Sequence, residues 1–329
     1  MKKSLVALAL TAVLALGLCS CGSKNNNASP ANASSANDKS YTIGICQIVQ
    51  HDALDAATKG FMDAVEAAFP GKVKFLNQNA SGDIQTCSTI VNGFVSQKVD
   101  LILANATAPL QAAAAATNSI PIVGTSVTDY ASALEISDWN GTVGGNITGA
   151  SDLAPLDQQA AMLKELFPDA KNVGLLYCSA EANSEYQVSV ISGYLADLGF
   201  SCTRFAFTDS NDVASVTQAA CDASDVIYIP TDNTAAANTE TIANVVLPAK
   251  VPVIAGEANL CKGCGIATLS IDYYDLGKIS GELAVQILNG ADVSTLPVKY
   301  APNVTKMVQT ANCEALGIAI PEGYSAIED

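Results

Sequence analysis

In 329 residues the chain has one arginine, Arg204, one histidine, His51, and one tryptophan, Trp139. Each scarcity excludes something. A Ser-His-Asp or Cys-His enzyme would have to be built on His51, and no Gly-x-Ser-x-Gly elbow accompanies it. A structural metal is not expected, because there is no second histidine and no second cysteine pair at zinc spacing. Sixteen Lys and Arg against 32 Asp and Glu give a net charge of −16. Such a surface repels a phosphate backbone, so nucleic acid is excluded as a partner. Glycine-rich Asn140-Gly141-Thr142-Val143-Gly144-Gly145-Asn146 lacks the Gly-Lys-Ser/Thr ending of a phosphate loop and suits a connector. Nothing here forms a catalytic constellation or calls for a cofactor, so no enzyme is expected.

What is present begins with an address. Lys2 and Lys3 precede an apolar run from Leu5 to Leu18, which meets Leu18-Cys19-Ser20-Cys21-Gly22-Ser23. A positive start, a short apolar core and a small residue before the cut make a secretory signal. The run is shorter than the roughly 20 residues a spanning helix needs, and no later segment reaches that length. The ending resembles a bacterial lipobox, with Cys21 as the lipidated cysteine behind the small Ser20. The expectation is a lipoprotein signal peptide over 1–20, then a flexible tether over 21–39 rich in Asn, Ala and Ser. The protein is expected outside the cytoplasm, lipid-anchored to the cell membrane and monomeric.

Beyond the tether, hydrophobic residues make up 49% of the chain and charged residues 15%, ample for burying a core. The remaining length exceeds what one core usually serves, which favours two lobes. Short apolar β-branched runs alternate with helical periodicity throughout. Strands are expected at 41–49, 73–76, 99–103 and 120–125, with helices at 53–69, 84–97 and 109–118 between them. After a connector at 139–151, helices at 156–167, 181–198, 213–223, 234–246 and 276–288 alternate with strands at 172–177, 201–207, 226–229, 251–255 and 265–271. Such alternation predicts α/β architecture with two doubly wound parallel-sheet lobes and a hinge. The ligand then lies beyond the carboxyl ends of the strands, between the lobes.

Polar residues gather at those strand ends. They include Gln47 and His51, then Thr107, then Thr128 and Asp129, then Glu181 and Asn183, then Asp232 and Asn233, and finally Asp272 and Tyr273. About half of such residues serve as helix N-caps. Capping does not account for acidic residues recurring with tyrosines. Carboxylates hold an ammonium, helix N-termini hold a carboxylate, and rings sandwich a flat side chain, which together suit a zwitterionic amino acid. Arg204 falls inside a predicted strand, so the ligand carboxylate would use Thr and Ser hydroxyls and backbone N–H groups. His51 suits a ligand contact or a local hydrogen bond near Asp52. Most of the eight later cysteines suit buried apolar positions. Cys261-Lys262-Gly263-Cys264, read as a glycine-rich turn before a strand, suits a structural disulfide or two free thiols better than a redox pair.

The segment Gly44-Ile45-Cys46-Gln47-Ile48-Val49-Gln50-His51-Asp52-Ala53-Leu54-Asp55 resembles the opening motif of tryptophan/tyrosine-type substrate-binding lipoproteins of ABC importers. Gly145-Asn146-Ile147-Thr148-Gly149, Glu181-Ala182-Asn183-Ser184, Ile229-Pro230-Thr231-Asp232-Asn233 and Ser270-Ile271-Asp272-Tyr273-Tyr274-Asp275 continue the likeness in order. It spans about 41–321 and departs from the family at Ser126-Val127-Thr128-Asp129-Tyr130, where Asp-Pro is usual. The resemblance implies a type I periplasmic-binding fold, with lobe 1 over 40–150 plus 265–292 and lobe 2 over 151–264 plus 293–329. It implies a small-molecule ligand, an aromatic amino acid, delivered to an ABC permease and its ATPase. Glu181, Asp232 and Asp272 are then candidate ammonium partners, Thr107 and Thr128 lie near the carboxylate, and Tyr273 is a stacking wall. The rival readings are a ligand-sensing module for a receptor and a surface thiol oxidoreductase using Cys261 and Cys264.

Overall fold

The computed structural model describes residues 39–320 and 322–327, and residues 39–329 form one compact unit. The signal segment, most of the tether and Cys21 lie outside the described residues. In chain order, β1 (Tyr41–Gln47) leads to α1 (Asp52–Ala68), β2 (Val73–Asn79) to α2 (Ile84–Gln97) and β3 (Leu101–Asn105) to α3 (Thr107–Ala116). Then β4 (Ile122–Val127) leads to the single turn α4 (Tyr130–Ala133), and β5 (Ile147–Ser151) ends the first series. The second series runs α5 (Leu156–Leu166), β6 (Asn172–Cys178), α6 (Ala182–Asp197), β7 (Ser201–Phe207), α7 (Val213–Ala223) and β8 (Val226–Ile229). It continues through α8 (Asn233–Ala236), α9 (Thr239–Ala249), β9 (Val253–Ala255), α10 (Ala258–Cys264) and β10 (Ala267–Ser270). The remainder comprises α11 (Tyr273–Leu288), β11 (Lys299–Tyr300), β12 (Thr305–Val308), α12 (Thr310–Leu316) and β13 (Ser325–Ala326).

Two sheets result. The first has the order β11-β5-β4-β3-β1-β2, the second β13-β12-β10-β9-β8-β6-β7. All pairings are parallel except β10 with β12. In each sheet the first strand of its series lies between the second and third, the doubly wound order that opens a crevice beyond the strand ends. Period-2 alternation sends Leu101 and Leu103 to the face shared with Phe61, and Ile102 and Ala104 to the face shared with Phe94. Both faces of each sheet are thus covered, as a parallel sheet requires. Among the described residues, no helix is long and apolar enough to cross a membrane.

Several boundaries differ from the expectation. The stretch read as connector, 139–151, contains β5, whose Ile147 pairs with Ile122 of β4; the stretch's four glycines and two threonines mask the strand pattern. The segment 265–292 does not return to the first lobe as a unit. Its strand β10 stays in the second sheet beside β9 and β12, and only α11 crosses back. There α11 packs closely on α1, because a Cβ on Gly277 would stand 2.0 Å from Ala57 O, and one on Gly60 2.1 Å from Tyr274 O. The tail does not pass to the second lobe at 293 either, since β11 pairs with β5 in the first sheet. Cys261 and Cys264 sit in helix α10, begun by Glu257, and not in a turn.

Candidate ligand-binding site

Strand ends of both sheets enclose a cleft of about 470 Å³, within the range of small-molecule sites. Ile48, Val49 and Ile84 line it from the first lobe, and Ala180, Ala182 and Ala237 line it from the second. No aromatic ring lines it, and the exposed Asp83 and Asp209 are among its lining residues. Thr107 opens α3 and lines the cleft, with 3% of its surface exposed and no hydrogen-bond partner for Oγ1. Ala106 before it has φ +97° and offers no side-chain cap. A buried orphaned hydroxyl beside strained backbone costs stability and marks a site that something else completes. Nearby, at the end of β4, the buried hydroxyls of Thr125 and Ser126 are also unpartnered, and Ser126 has φ +54°.

The facing lobe is differently provided. Glu181 accepts hydrogen bonds from Asn233 N (3.0 Å) and Nδ2 (2.6 Å), Thr234 N (2.8 Å) and Oγ1 (2.7 Å), and Asn183 Nδ2 (3.1 Å). Asp232 caps α8 through Ala235 N at 2.8 Å and accepts Cys178 N at 2.6 Å. Burial, reinforced by the neighbouring Glu181, pushes its carboxyl up to about 7. Across the cleft, His51 Nε2 meets Asn233 Oδ1 at 3.4 Å, and burial lowers the imidazole below its ordinary value.

A second, narrow space of about 10 Å³ lies between the lobes and shares Asn233 with the cleft. His51, Asp152, Glu257 and Tyr273 line it. Asp152 accepts the hydroxyls of Thr128 (3.1 Å) and Tyr273 (3.0 Å). Glu257 accepts the first backbone N–H groups of α10, Asn259 and Leu260. Burial raises Asp152 to about 6 and Glu257 to about 7.

The sequence matches the family described as ABC transporter substrate binding protein over residues 42–328. The chain belongs to that family. Its members bind ligands for transport and are not enzymes. A tyrosine-binding protein of Clostridioides difficile (strain R20291) is 35% identical over 319 residues, 95% of this chain and 92% of its own length. A Streptococcus pneumonia domain in complex with L-Trp superposes with TM-score 0.84 at 31% identity, covering 88% of this chain and 100% of that one. The ligand-free, open form of a Clostridium difficile substrate-binding protein with adhesive properties covers 88% of this chain and 99% of that one, with TM-score 0.67 at 35% identity. This binding protein superposes better on the complex than on the open form. The architecture is the type I periplasmic-binding fold.

Of the residues singled out in the binding protein's sequence, Thr107, Glu181, Asn183 and Asn233 line the cleft. His51, Asp232 and Tyr273 line the narrow space. Tyr273 is buried with its hydroxyl on Asp152, so it is no stacking wall for the cleft. Thr128 is buried behind it on the same carboxylate. Gln47 faces away, bonding Thr58 and Asp55 on α1. Asp129 and Asp272 cap α4 and α11 and line neither cavity. Asp152 was missed because β5, which it directly follows, was hidden in the connector. Ile48, Val49 and Ile84 were passed over because apolar residues next to strands read as core.

Cys261 and Cys264 are buried free thiols, Cys264 Sγ donating to Leu260 O at 3.4 Å. Burial drives both thiols up, opposite to the depression a reactive thiol needs. Nothing supports the oxidoreductase reading.

Proposed function

We propose that this binding protein is the lipid-anchored, extracytoplasmic component of an ABC importer and takes an aromatic amino acid, tryptophan or tyrosine, into the inter-lobe cleft. The observation that carries the reading is the orphaned Thr107 hydroxyl at the start of α3, in a cleft lined by aliphatic residues of both lobes. A carboxylate there would accept from Oγ1 and from the free N–H groups of the first turn, at the positive end of the helix dipole. The ring would lie between Ile48, Val49 and Ile84 on one side and small alanines on the other. Asn183, Asn233 and Glu181 border the same space. The tyrosine and L-Trp named for two relatives of similar identity agree with that chemistry. Closure by hinge motion would form the surface offered to the permease, whose ATPase drives uptake. Cys21 would carry the anchor, and the protein would act as a monomer.

The test is a thermal-shift screen of residues 39–329 against all amino acids, nucleosides and common sugars. Ligand at 100 times its dissociation constant adds about 2.7 kcal/mol. A shift confined to tryptophan, tyrosine or phenylalanine is expected. A shift with another class alone, or none after refolding from denaturant to strip copurified ligand, refutes the ligand assignment. Cys21→Ala should release the protein from membranes into the medium; retention on the membrane refutes the anchor.

A further inference from the structure

The ammonium of the ligand need not go to the carboxylates that sequence position suggests. Glu181 already accepts from five donors on Asn183, Asn233 and Thr234, and Asp272 caps α11 through Asp275 N and lines neither cavity. Asp232 accepts Cys178 N and Ala235 N and borders the narrow space. The ion pairs among the described residues, Lys59 with Asp63, Arg204 with Glu185, Lys278 with Asp275 and Lys306 with Glu165, all lie at the surface. Asp152 and Glu257 are instead 4% and 2% exposed and held only by hydroxyls and backbone N–H groups. A carboxylate has about four acceptor positions, so each retains capacity for another donor.

His51 supplies the third group, and its tautomer follows from its neighbours. Asn233 Nδ2 donates to Glu181 at 2.6 Å, which turns Oδ1 toward His51. An amide oxygen only accepts, so the imidazole carries its proton on Nε2. Nδ1 is then an acceptor, and it is sealed from solvent with no partner. Burial lowers the imidazole below its ordinary value and so disfavours its charged form. His51, with its unpartnered Nδ1, and the carboxylates of Asp152, Asp232 and Glu257 thus border one space of about 10 Å³, room for a single water-sized group. An ammonium has that size, three N–H donors and the opposite charge.

We infer that the space bordered by His51, Asp152 and Glu257 is the subsite for the ligand's primary ammonium, and that Asn233 and Glu181 act by fixing the His51 tautomer. The inference rests on the amino-acid reading above. Because His51 and Asp152 come from the first lobe and Glu257 from the second, an amine bound there bridges the lobes and favours closure.

The experiment is titration calorimetry with L-tryptophan and L-tyrosine against indole-3-propionate and 3-(4-hydroxyphenyl)propionate, which lack only the amine. The unaltered protein should prefer the amino acids by at least about 100-fold. Asp152→Asn and Glu257→Gln should each weaken amino-acid binding by about 100-fold while leaving the deamino acids within about threefold of the unaltered protein. Circular dichroism confirms folding, and the second variant carries the comparison if the first is unfolded. An unchanged preference in the variants, or equal losses for both ligand types, overturns the ammonium subsite. So does a wild-type protein that binds the deamino acids equally well. If the unaltered protein binds none of the four compounds, the aromatic amino-acid reading itself falls.

Discussion

The two lobes share a strand order but differ in how the polar groups at their strand ends are satisfied. In the second lobe, Glu181 and Asp232 cap the helix that follows β8, Glu181 through five donors and Asp232 through Ala235 N. In the first, Thr107, Thr125 and Ser126 keep buried hydroxyls without partners, beside Ala106 and Ser126 at positive φ. An acidic residue at a strand end is thus first a helix cap. A buried hydroxyl that is both orphaned and cleft-lining, as Thr107 is, is the better sign of a ligand, since it lowers stability until something completes it.

The sharpest break of this contrast is Asp232→Ala. It strips the acceptor from two buried N–H groups and should cost about 2–4 kcal/mol of folding stability, read as the urea midpoint of the ligand-free protein. A loss of affinity at unchanged stability would return Asp232 to the ligand. Next comes pH. Carboxyls raised on folding bind more protons in the folded state, so the stability they contribute is intact below about pH 4 and declines as pH rises toward 7. Asp152 at about 6, with Asp232 and Glu257 at about 7, should make the ligand-free protein melt lower at pH 8 than at pH 5. His51, lowered by burial, acts oppositely and removes stability as pH falls below its ordinary 6.5. Asp152→Asn isolates the first effect: it should stabilise by about 1–3 kcal/mol at pH 8 and do nothing at pH 4. Identical melting at both pH values in variant and parent would remove Asp152 from the ionising set.

Thr107→Val tests the other lobe. Affinity for the amino acid should fall about tenfold, while stability holds or rises by up to about 1 kcal/mol as an unpaired buried hydroxyl disappears. Lost stability would mean that Thr107 is structural. The smallest effect belongs to Asp272→Ala, an exposed cap whose removal should cost about 0.5–1 kcal/mol and leave calorimetric affinity unchanged. Any affinity loss there would extend the site beyond the cleft.

Much of the fold was legible because parallel strands buried on both faces spell themselves as apolar runs, as in Leu101–Asn105 and Asn172–Cys178. β5 was not, because Thr148, Gly149 and Ser151 dilute its pattern while its backbone still pairs with β4. The site was legible as a region but poorly as residues. Thr107, Glu181, Asn183 and Asn233 reach the cleft because their strand-end position suffices to bring them there. Tyr273 does not, because its hydroxyl turns inward to a carboxylate 121 residues earlier in the chain. Pairings of that range leave no local trace in composition or period.

Hydrophobic periodicity, charge and the scarcity of His and Arg are local or additive quantities. By themselves they determined an α/β chain in two lobes and the placement of polar groups at strand ends. Which of those groups are consumed and which are left over depends on partners far apart in sequence. Only the tertiary structure decided that Asp232 caps a helix, that Cys261 and Cys264 are sealed in a core, and that His51, Asp152 and Glu257 border one space. A hydrogen bond is satisfied or orphaned by where two distant backbones meet, and that is fixed by packing.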